Sequence, residues 1–160
     1  MQRAILDGIR VLDLSEGLAG SVTSLILAES GCDVVKVEPP QGASLRGSPP
    51  FAVWNRSKRS IAVFERLVSA ADVLVHVFTP ADARAQRLDN GSLKALAPGI
   101  IAVSIPGFPA GHDDEDVPAH DTLVLAASGI MDEQAPIGRD AGPVYLRFPL
   151  GSWAAAWLAA

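Results

Sequence analysis

At 160 residues, the chain is long enough to fold as one domain around a hydrophobic core. Apolar residues make up 49% of it and charged residues 19%, which is typical of globular proteins. The net charge of −5 gives no support to nucleic-acid binding. The sequence lacks an apolar run of about 18 residues, so no membrane span is predicted. The single cysteine, Cys32, excludes an intrachain disulfide and suits a reducing compartment, so we expect a cytoplasmic protein.

The N-terminal segment predicts a β-α-β unit. Ile9–Leu14 has the β-branched content of a buried strand. Ser21 can cap a helix that runs to about Ser30 and is closed by Gly31. Asp33–Val37 predicts a second strand, and the default for such a unit is a right-handed crossover between parallel strands.

The same alternation continues along the rest of the chain. A Gly/Pro-rich loop over Pro39–Pro50 comes first, and Trp153–Ala160 at the other end predicts an apolar helix. The elements predicted between them are strands at Ser60–Val63, Asp72–Val75 and Ile100–Ile105, and helices at Glu65–Ala70, Asp82–Leu88, Ser92–Ala97 and Thr122–Met131. Strands that alternate with helices predict an α/β fold with a Rossmann-like, doubly wound and mainly parallel sheet.

Positive charge is concentrated in one predicted loop region, from Arg46 to Arg59. Such a cluster, in a chain of negative net charge, could bind a ligand with several phosphates through charge-assisted hydrogen bonds. It could equally be an exposed basic face, and composition alone leaves both interpretations open. The loop Glu16–Gly20 lacks the G-x-G-x-x-G spacing of dinucleotide-binding loops, so a nicotinamide or flavin site is not predicted.

Several motifs, in this order along the chain, resemble the N-terminal part of the class III CoA-transferase and α-methylacyl-CoA racemase family. Asn55–Ile61 is similar to the family's N-R-G-K-R-S-I, and Ala71–Val75 with Phe78 and Pro80 is similar to its A-D-V-L-V-E-N-F-R-P. The other segments that carry the resemblance are Leu6–Leu14, Ala19–Gly20, Leu27–Pro40, Ser104–Phe108 and Ala127–Met131.

The resemblance implies a domain that acts on CoA thioesters. Residues 1–160 would form the N-terminal portion of its large domain, as a fragment or one half of a longer chain. It implies acyl-CoA and carboxylic acid substrates, and a homodimer or a pairing with a second CoA-transferase half. CoA would be a substrate, with no permanently bound cofactor and no metal. The residues expected to bind CoA are Ala19, Gly20, Lys36, Arg46, Lys58, Arg59 and Phe78.

The resemblance also raises a question about catalysis. The family's nucleophile is an Asp, and its position aligns with Ser152. A carboxylate can form a mixed anhydride with the acyl group, whereas a serine hydroxyl is a poor nucleophile without a neighbouring base.

Two alternative functions therefore stay open. Ala119–Gly129 is similar to the racemase segment G-H-D-x-x-x-L-A-x-x-G, in which His120 would be a base and Asp121 its orienting partner. The other alternative is a non-catalytic partner or pseudo-enzyme half.

Overall fold

The computed structural model of the chain describes residues 4–62, 66–134 and 142–160. It contains a five-stranded, all-parallel sheet in the order β3-β2-β1-β4-β5. This confirms the predicted α/β fold with a parallel, doubly wound sheet. The strands are β1 (Arg10–Asp13), β2 (Asp33–Val37), β3 (Arg59–Ile61), β4 (Val73–His76) and β5 (Ile101–Ser104). The helices are α1 (Leu18–Glu29), α2 (Pro49–Trp54), α3 (Pro80–Ala85), α4 (Asn90–Leu96), α5 (Asp121–Ala127), α6 (Ile130–Glu133) and α7 (Leu150–Ala159), with a 3₁₀ turn at Val68–Ala70.

Both faces of the central strands β1 and β4 are largely buried, as is typical of parallel sheets, whereas the edge strand β3 is exposed. Alternate residues of β1 enter opposite cores, because side chains alternate along a strand. Val11 packs with Leu27 of α1 on one face. Leu12 packs with Leu93 of α4 on the other. On the α1 side, α7 forms a further layer, where the fully buried Ala156 accepts a hydrogen bond at its carbonyl from Thr23 Oγ1 at 3.3 Å.

Three helix predictions differ from the structure. Helix α1 begins at Leu18 rather than at Ser21, because Gly17 turns the chain with a φ of 78°, and Ser21 is buried within the helix. Helix α2 begins inside the region predicted as a loop, where Pro49 occupies the first helical turn that proline tolerates. The prediction of one helix over Thr122–Met131 is wrong, because Gly129 adopts a left-handed φ of 77° and separates α5 from α6.

The remaining boundaries move by a few residues. The predicted helix Glu65–Ala70 is only a 3₁₀ turn at Val68–Ala70, and Glu65 itself lies outside the described residues. Val63, predicted to end the third strand, also lies outside them. Within the described parts of the chain, no helix is long and apolar enough to cross a membrane.

One buried carboxylate holds together the carboxyl end of β1 and its surroundings. Asp13 is fully buried and accepts hydrogen bonds from the backbone N–H of Ser15 at 2.9 Å and from its hydroxyl. A further hydroxyl, that of Ser24 on α1, donates to Asp13 at 2.6 Å. Two ammonium groups complete the cluster: Lys36 Nζ lies 3.5 Å and Lys58 Nζ 3.0 Å from Asp13 Oδ2. The cluster therefore ties β1 to α1, to β2 and to the segment before β3.

The charges in this cluster are unequal, with two ammonium groups and one carboxylate. Burial favours the neutral form of Asp13, but the two lysines and the serine hydroxyls outweigh it and lower the pKa of Asp13 below its ordinary value. Burial, reinforced by Lys36 and opposed by Asp13, lowers the pKa of Lys58 from 10.5 to about 8. Lys58 also donates to the Ser21 carbonyl and to Asn55 Oδ1. Its ammonium is thus well hydrogen-bonded, and it shares the Asp13 carboxylate with Lys36.

Replacing Asp13 by Asn should destabilise the fold severely, by about 3–5 kcal/mol, because two buried ammonium groups would lose their counter-charge. Urea unfolding followed by circular dichroism measures the loss. Asp72→Asn is the matched control: its carboxylate pairs with Arg10 in a partly exposed bridge at 3.0 Å and should give a much smaller loss. Equal losses in the two variants would contradict the dominant role of Asp13.

Lys58 should make stability rise with pH above about 8. Its folded-state pKa lies near 8 and its ordinary value is 10.5, so in that interval the unfolded chain binds more protons than the folded one. Linkage then increases the free energy of unfolding as pH rises, by an amount on the order of 3 kcal/mol. Urea titrations across this range should show the increase in the wild type and in the exposed-lysine control Lys94→Met, but not in Lys58→Met. If the free energy of unfolding changed with pH by the same slope in all three proteins, the role of Lys58 would be refuted.

Candidate functional site

A cleft of about 460 Å³ opens at the carboxyl ends of β1 and β4. The chain leaves β1 toward β2 on one side, and after β3 it returns to β4 on the other side of β1. Ligands bind at such switch points in open α/β sheets, because the loops that follow the two strands diverge there. The lining comprises Glu16, Gly17, Leu18 and Ala19 after β1; Val77, Phe78, Thr79 and Asp82 after β4; Ile105, Pro106 and Gly107 after β5; Pro118, Ala119, His120, Asp121 and Val124; and Gly151, Ser152 and Ala155.

The structure brings the three predicted catalytic positions, which are distant in sequence, into this one cleft. His120 is the exposed residue that precedes α5, Asp121 is the first residue of that helix, and Ser152 lies in the first turn of α7. The Asp121 carboxylate accepts a hydrogen bond at Oδ1 from the Ser152 backbone N–H at 2.6 Å. This contact joins the two helix N-termini at the cleft wall.

Glycines permit the close approaches that form this wall. A Cβ on Gly107 would lie 2.8 Å from the Ala119 Cα, so only glycine lets the loop after β5 pass the residue that leads into His120. A Cβ on Gly151 would lie 3.2 Å from Asp121 Oδ1 and would crowd the carboxylate. These contacts fix Asp121 against the start of α7.

Two of the predicted CoA-binding residues line the cleft, and a third supports it. Ala19, in the first turn of α1, and Phe78, in the loop after β4, contribute apolar surface. Gly20 is buried against Ser15, where a Cβ would clash with the serine side chain. Its role in the structure is therefore close packing of α1 against the loop after β1.

The four predicted cations do not gather in the cleft. Lys36 and Lys58 are buried with Asp13, with side chains only 3% and 1% exposed. Arg59 pairs with Asp33, the first residue of β2, at the amino end of that strand. Their positive charges thus have carboxylate partners within the chain.

Arg46 lies at the same edge of the sheet as the cleft, in the loop after β2. Its guanidinium donates two hydrogen bonds to Glu38, at 2.7 and 2.6 Å, and about half of its side chain is exposed. These bonds, with others from Ser60 and the Ala43 N–H, lower the pKa of Glu38 to about 2. Arg46 is thus also paired with a carboxylate, and it differs from the buried Lys36 and Lys58 in being half-exposed at the carboxyl edge of the sheet.

Sequence reasoning did not find the role of His76, the last residue of β4. His76 is buried, and its Nδ1 accepts a hydrogen bond from the Phe78 N–H at 3.2 Å while the two rings stack at 5.3 Å. Burial lowers the pKa of His76, which favours the neutral ring that this acceptor role needs. His76 therefore positions Phe78 at the cleft wall, and no sequence motif distinguished it from a core histidine.

The cleft also contains favourable positions for negative charge. Among the described residues, no side chain caps the N-terminus of α1, which follows Gly17 directly, and α1 has no acidic residue in its first turn. Free N–H groups and the helix dipole at such an end attract anions and developing oxyanions. Within residues 4–62, 66–134 and 142–160, no group of three or more His, Cys, Asp or Glu side chains could hold a metal ion.

Comparison with known proteins finds CoA-transferases that are similar to this chain. The curated relatives include a succinate–glutarate CoA-transferase of Agrobacterium fabrum, 35% identical over 79% of this chain and 38% of the relative. They also include the CoA-transferase/lyase DddD of a Marinomonas species, 30% identical over 97% of this chain and 20% of the relative. This chain therefore spans well under half the length of these relatives.

Solved structures show the same fold. The protein Rv3272 of Mycobacterium tuberculosis superposes with a TM-score of 0.84 and 27% identity, covering 97% of this chain and 47% of that one. A CAIB/BAIF family protein of Brucella suis gives 0.80 and 31%, covering 99% and 49%. The family model of CoA-transferase family III matches residues 6–160. Because that match covers almost the whole sequence, the chain belongs to CoA-transferase family III.

Proposed function

We propose that this chain is the acyl-CoA-handling, N-terminal portion of an enzyme that transfers CoA between an acyl-CoA thioester and a carboxylic acid. The observation that carries the proposal is the cleft at the switch point of the sheet, where the Asp121 carboxylate and the uncapped N-terminus of α1 both line the wall. Transfer of this kind needs a carboxylate that attacks the thioester and donors that stabilise the resulting oxyanion. CoA acts here as a substrate, not as a resident cofactor.

The lining suits the different parts of an acyl-CoA. Phe78, Val77 and Pro106 give apolar surface for the pantetheine arm, and ligand clefts typically combine such surface with a few polar groups. The N–H groups of Leu18 and Ala19 would face the thioester oxygen. Arg46, at the same sheet edge, would meet phosphate oxygens.

The two buried lysines would act on this site indirectly. Lys36 donates to the Ser15 carbonyl at 2.6 Å, directly before Glu16 and Gly17 of the cleft wall. Lys58 holds the adjacent Ser21 carbonyl at 2.8 Å. We assign both to shaping the start of α1, and we leave phosphate binding to Arg46.

The complete enzyme would need more than this chain, as a homodimer or together with a second CoA-transferase half. Helix α7 supports that expectation, since Trp157 is 67% and Leu158 is 89% exposed. Large apolar side chains exposed side by side are typical of interaction surfaces.

Thermal unfolding with and without free CoA tests the binding proposal. CoA at about a hundred times its dissociation constant should add about 2.7 kcal/mol of stability. Ala19→Trp would fill the cleft and should abolish this shift, whereas Ala95→Trp, at an exposed position of α4, should retain it. A CoA shift that survives Ala19→Trp would place binding elsewhere, and no shift in the wild type would favour the non-catalytic partner.

Racemisation of an acyl-CoA is the second candidate function, because His120 is exposed at the cleft and adjoins Asp121. A base there could remove the proton next to the thioester carbonyl. In deuterated water, a racemase would exchange that proton, and His120→Ala should abolish the exchange. His112→Ala, in the loop after β5, is the matched control. Transfer without exchange would exclude this second function.

A further inference from the structure

We propose that Asp121 is the nucleophile of this cleft and supplies the carboxylate that position 152 lacks. The inference rests on the proposed CoA transfer and names a catalytic residue for it. Among the residues that the structure describes, three carboxylates line the cleft, those of Glu16, Asp82 and Asp121. Their environments differ, and the differences select Asp121.

Asp82 serves the structure of its own helix. Its Oδ2 accepts a hydrogen bond from the Thr79 hydroxyl at 3.0 Å, and its backbone N–H donates to the same hydroxyl at 3.1 Å. The Thr79 side chain is buried and forms the N-terminal cap of α3 through this pair of hydrogen bonds. Glu16 is exposed on the loop before α1, with one long contact of 3.4 Å from the Ser44 hydroxyl. The Asp82 carboxylate is thus occupied by the cap of α3, whereas the Glu16 carboxylate has no strong contact with a described residue that would fix its orientation.

Asp121 is half-buried and held by one oxygen only. Oδ1 receives the Ser152 N–H, and the described residues provide no hydrogen-bond donor for Oδ2. One oxygen is therefore oriented while the other remains available for attack. The N-terminus of α7 attracts negative charge, which keeps the carboxylate at this place.

The Asp121 carboxylate also lies where an acidic side chain at position 152 would place its own carboxylate. Oδ1 lies only 2.6 Å from the backbone nitrogen of Ser152. A carboxylate at position 152 and the carboxylate of Asp121 would thus reach the same small region of the cleft and the same bound thioester. In contrast, no described residue donates to or accepts from the Ser152 hydroxyl, so the serine lacks the base that would activate it.

The chemical step balances with the two substrates alone. A carboxylate oxygen of Asp121 attacks the thioester carbonyl carbon, the C–S bond breaks, and CoA leaves as the thiolate while a mixed anhydride forms. The thiolate then attacks the Asp121 carbonyl carbon, which releases the acyl group as its carboxylate and leaves CoA joined to Asp121 as a thioester. The acceptor acid reverses these two steps with its own carboxylate, and Asp121 is regenerated.

Mass spectrometry of the trapped intermediate tests this assignment. The complete enzyme that contains this chain is mixed with glutaryl-CoA, quenched in acid and digested, and the peptides of this chain are searched for CoA joined with loss of one water. We expect the adduct on the peptide that contains Asp121. Asp121→Asn should lose it, although the amide oxygen can still accept the Ser152 N–H. Asp132→Asn, which removes an exposed carboxylate at the start of α6, should retain it.

The possible results separate this inference from the function on which it rests. A glutaryl ester on Ser152, or a CoA thioester on Glu16 or Asp82, would overturn the assignment to Asp121 and leave CoA chemistry standing. A complete enzyme that is stabilised by CoA but forms no adduct on this chain would also overturn it. A complete enzyme that shows neither stabilisation nor adduct would overturn the proposed function and the nucleophile together.

Discussion

The buried carboxylate of Asp13 is the interaction on which the rest of the structure depends. Removing a carboxylate and two ammonium groups from water is costly, and the cost is offset only where each group is paired and hydrogen-bonded. Asp13 achieves this by accepting from Ser15, Ser24, Lys36 and Lys58 at once. Because these partners come from four separate segments, the pairing is satisfied only when β1, α1, β2 and the residues before β3 are all in place.

This constraint explains the shape of the cleft. Lys36 and Lys58 hold the carbonyls of Ser15 and Ser21, on either side of the turn at Gly17 that begins α1. The start of α1 is thereby fixed at the carboxyl edge of the sheet with its N–H groups uncapped by side chains. The packing that buries the Asp13 cluster in the interior therefore also places the uncapped start of α1 at the cleft. Under the proposed function, Lys36 and Lys58 would therefore influence a ligand in the cleft without touching it.

The opposite wall depends on a different kind of contact. Helices α5 and α7 meet through one hydrogen bond, from the Ser152 N–H to Asp121, and glycine at 151 makes room for it. This arrangement puts a carboxylate beside a position where the family resemblance led us to expect one and the sequence has serine. Under the proposed assignment, Asp121 of α5 provides the carboxylate of the site although position 152 carries a serine.

The sequence by itself determined the alternation of strands and helices, the parallel α/β class and the family, because these depend on local patterns and on motifs that are contiguous in the chain. It also identified Ala19, Phe78, His120, Asp121 and Ser152, which the structure gathers at one cleft. It could not determine which carboxylate each predicted cation pairs with, or which cations are buried. Lys58 and Arg59 are neighbours in one motif, yet one is buried against Asp13 and the other pairs with Asp33.

Only the tertiary structure decided those pairings, the start of α1 at Gly17 and the contact between Asp121 and Ser152. The physical reason is the range of the interactions involved. Backbone propensity and hydrophobic period act over a few residues, whereas the partner of a buried charge or of a helix N-terminus is chosen by the packing of segments that are distant along the chain.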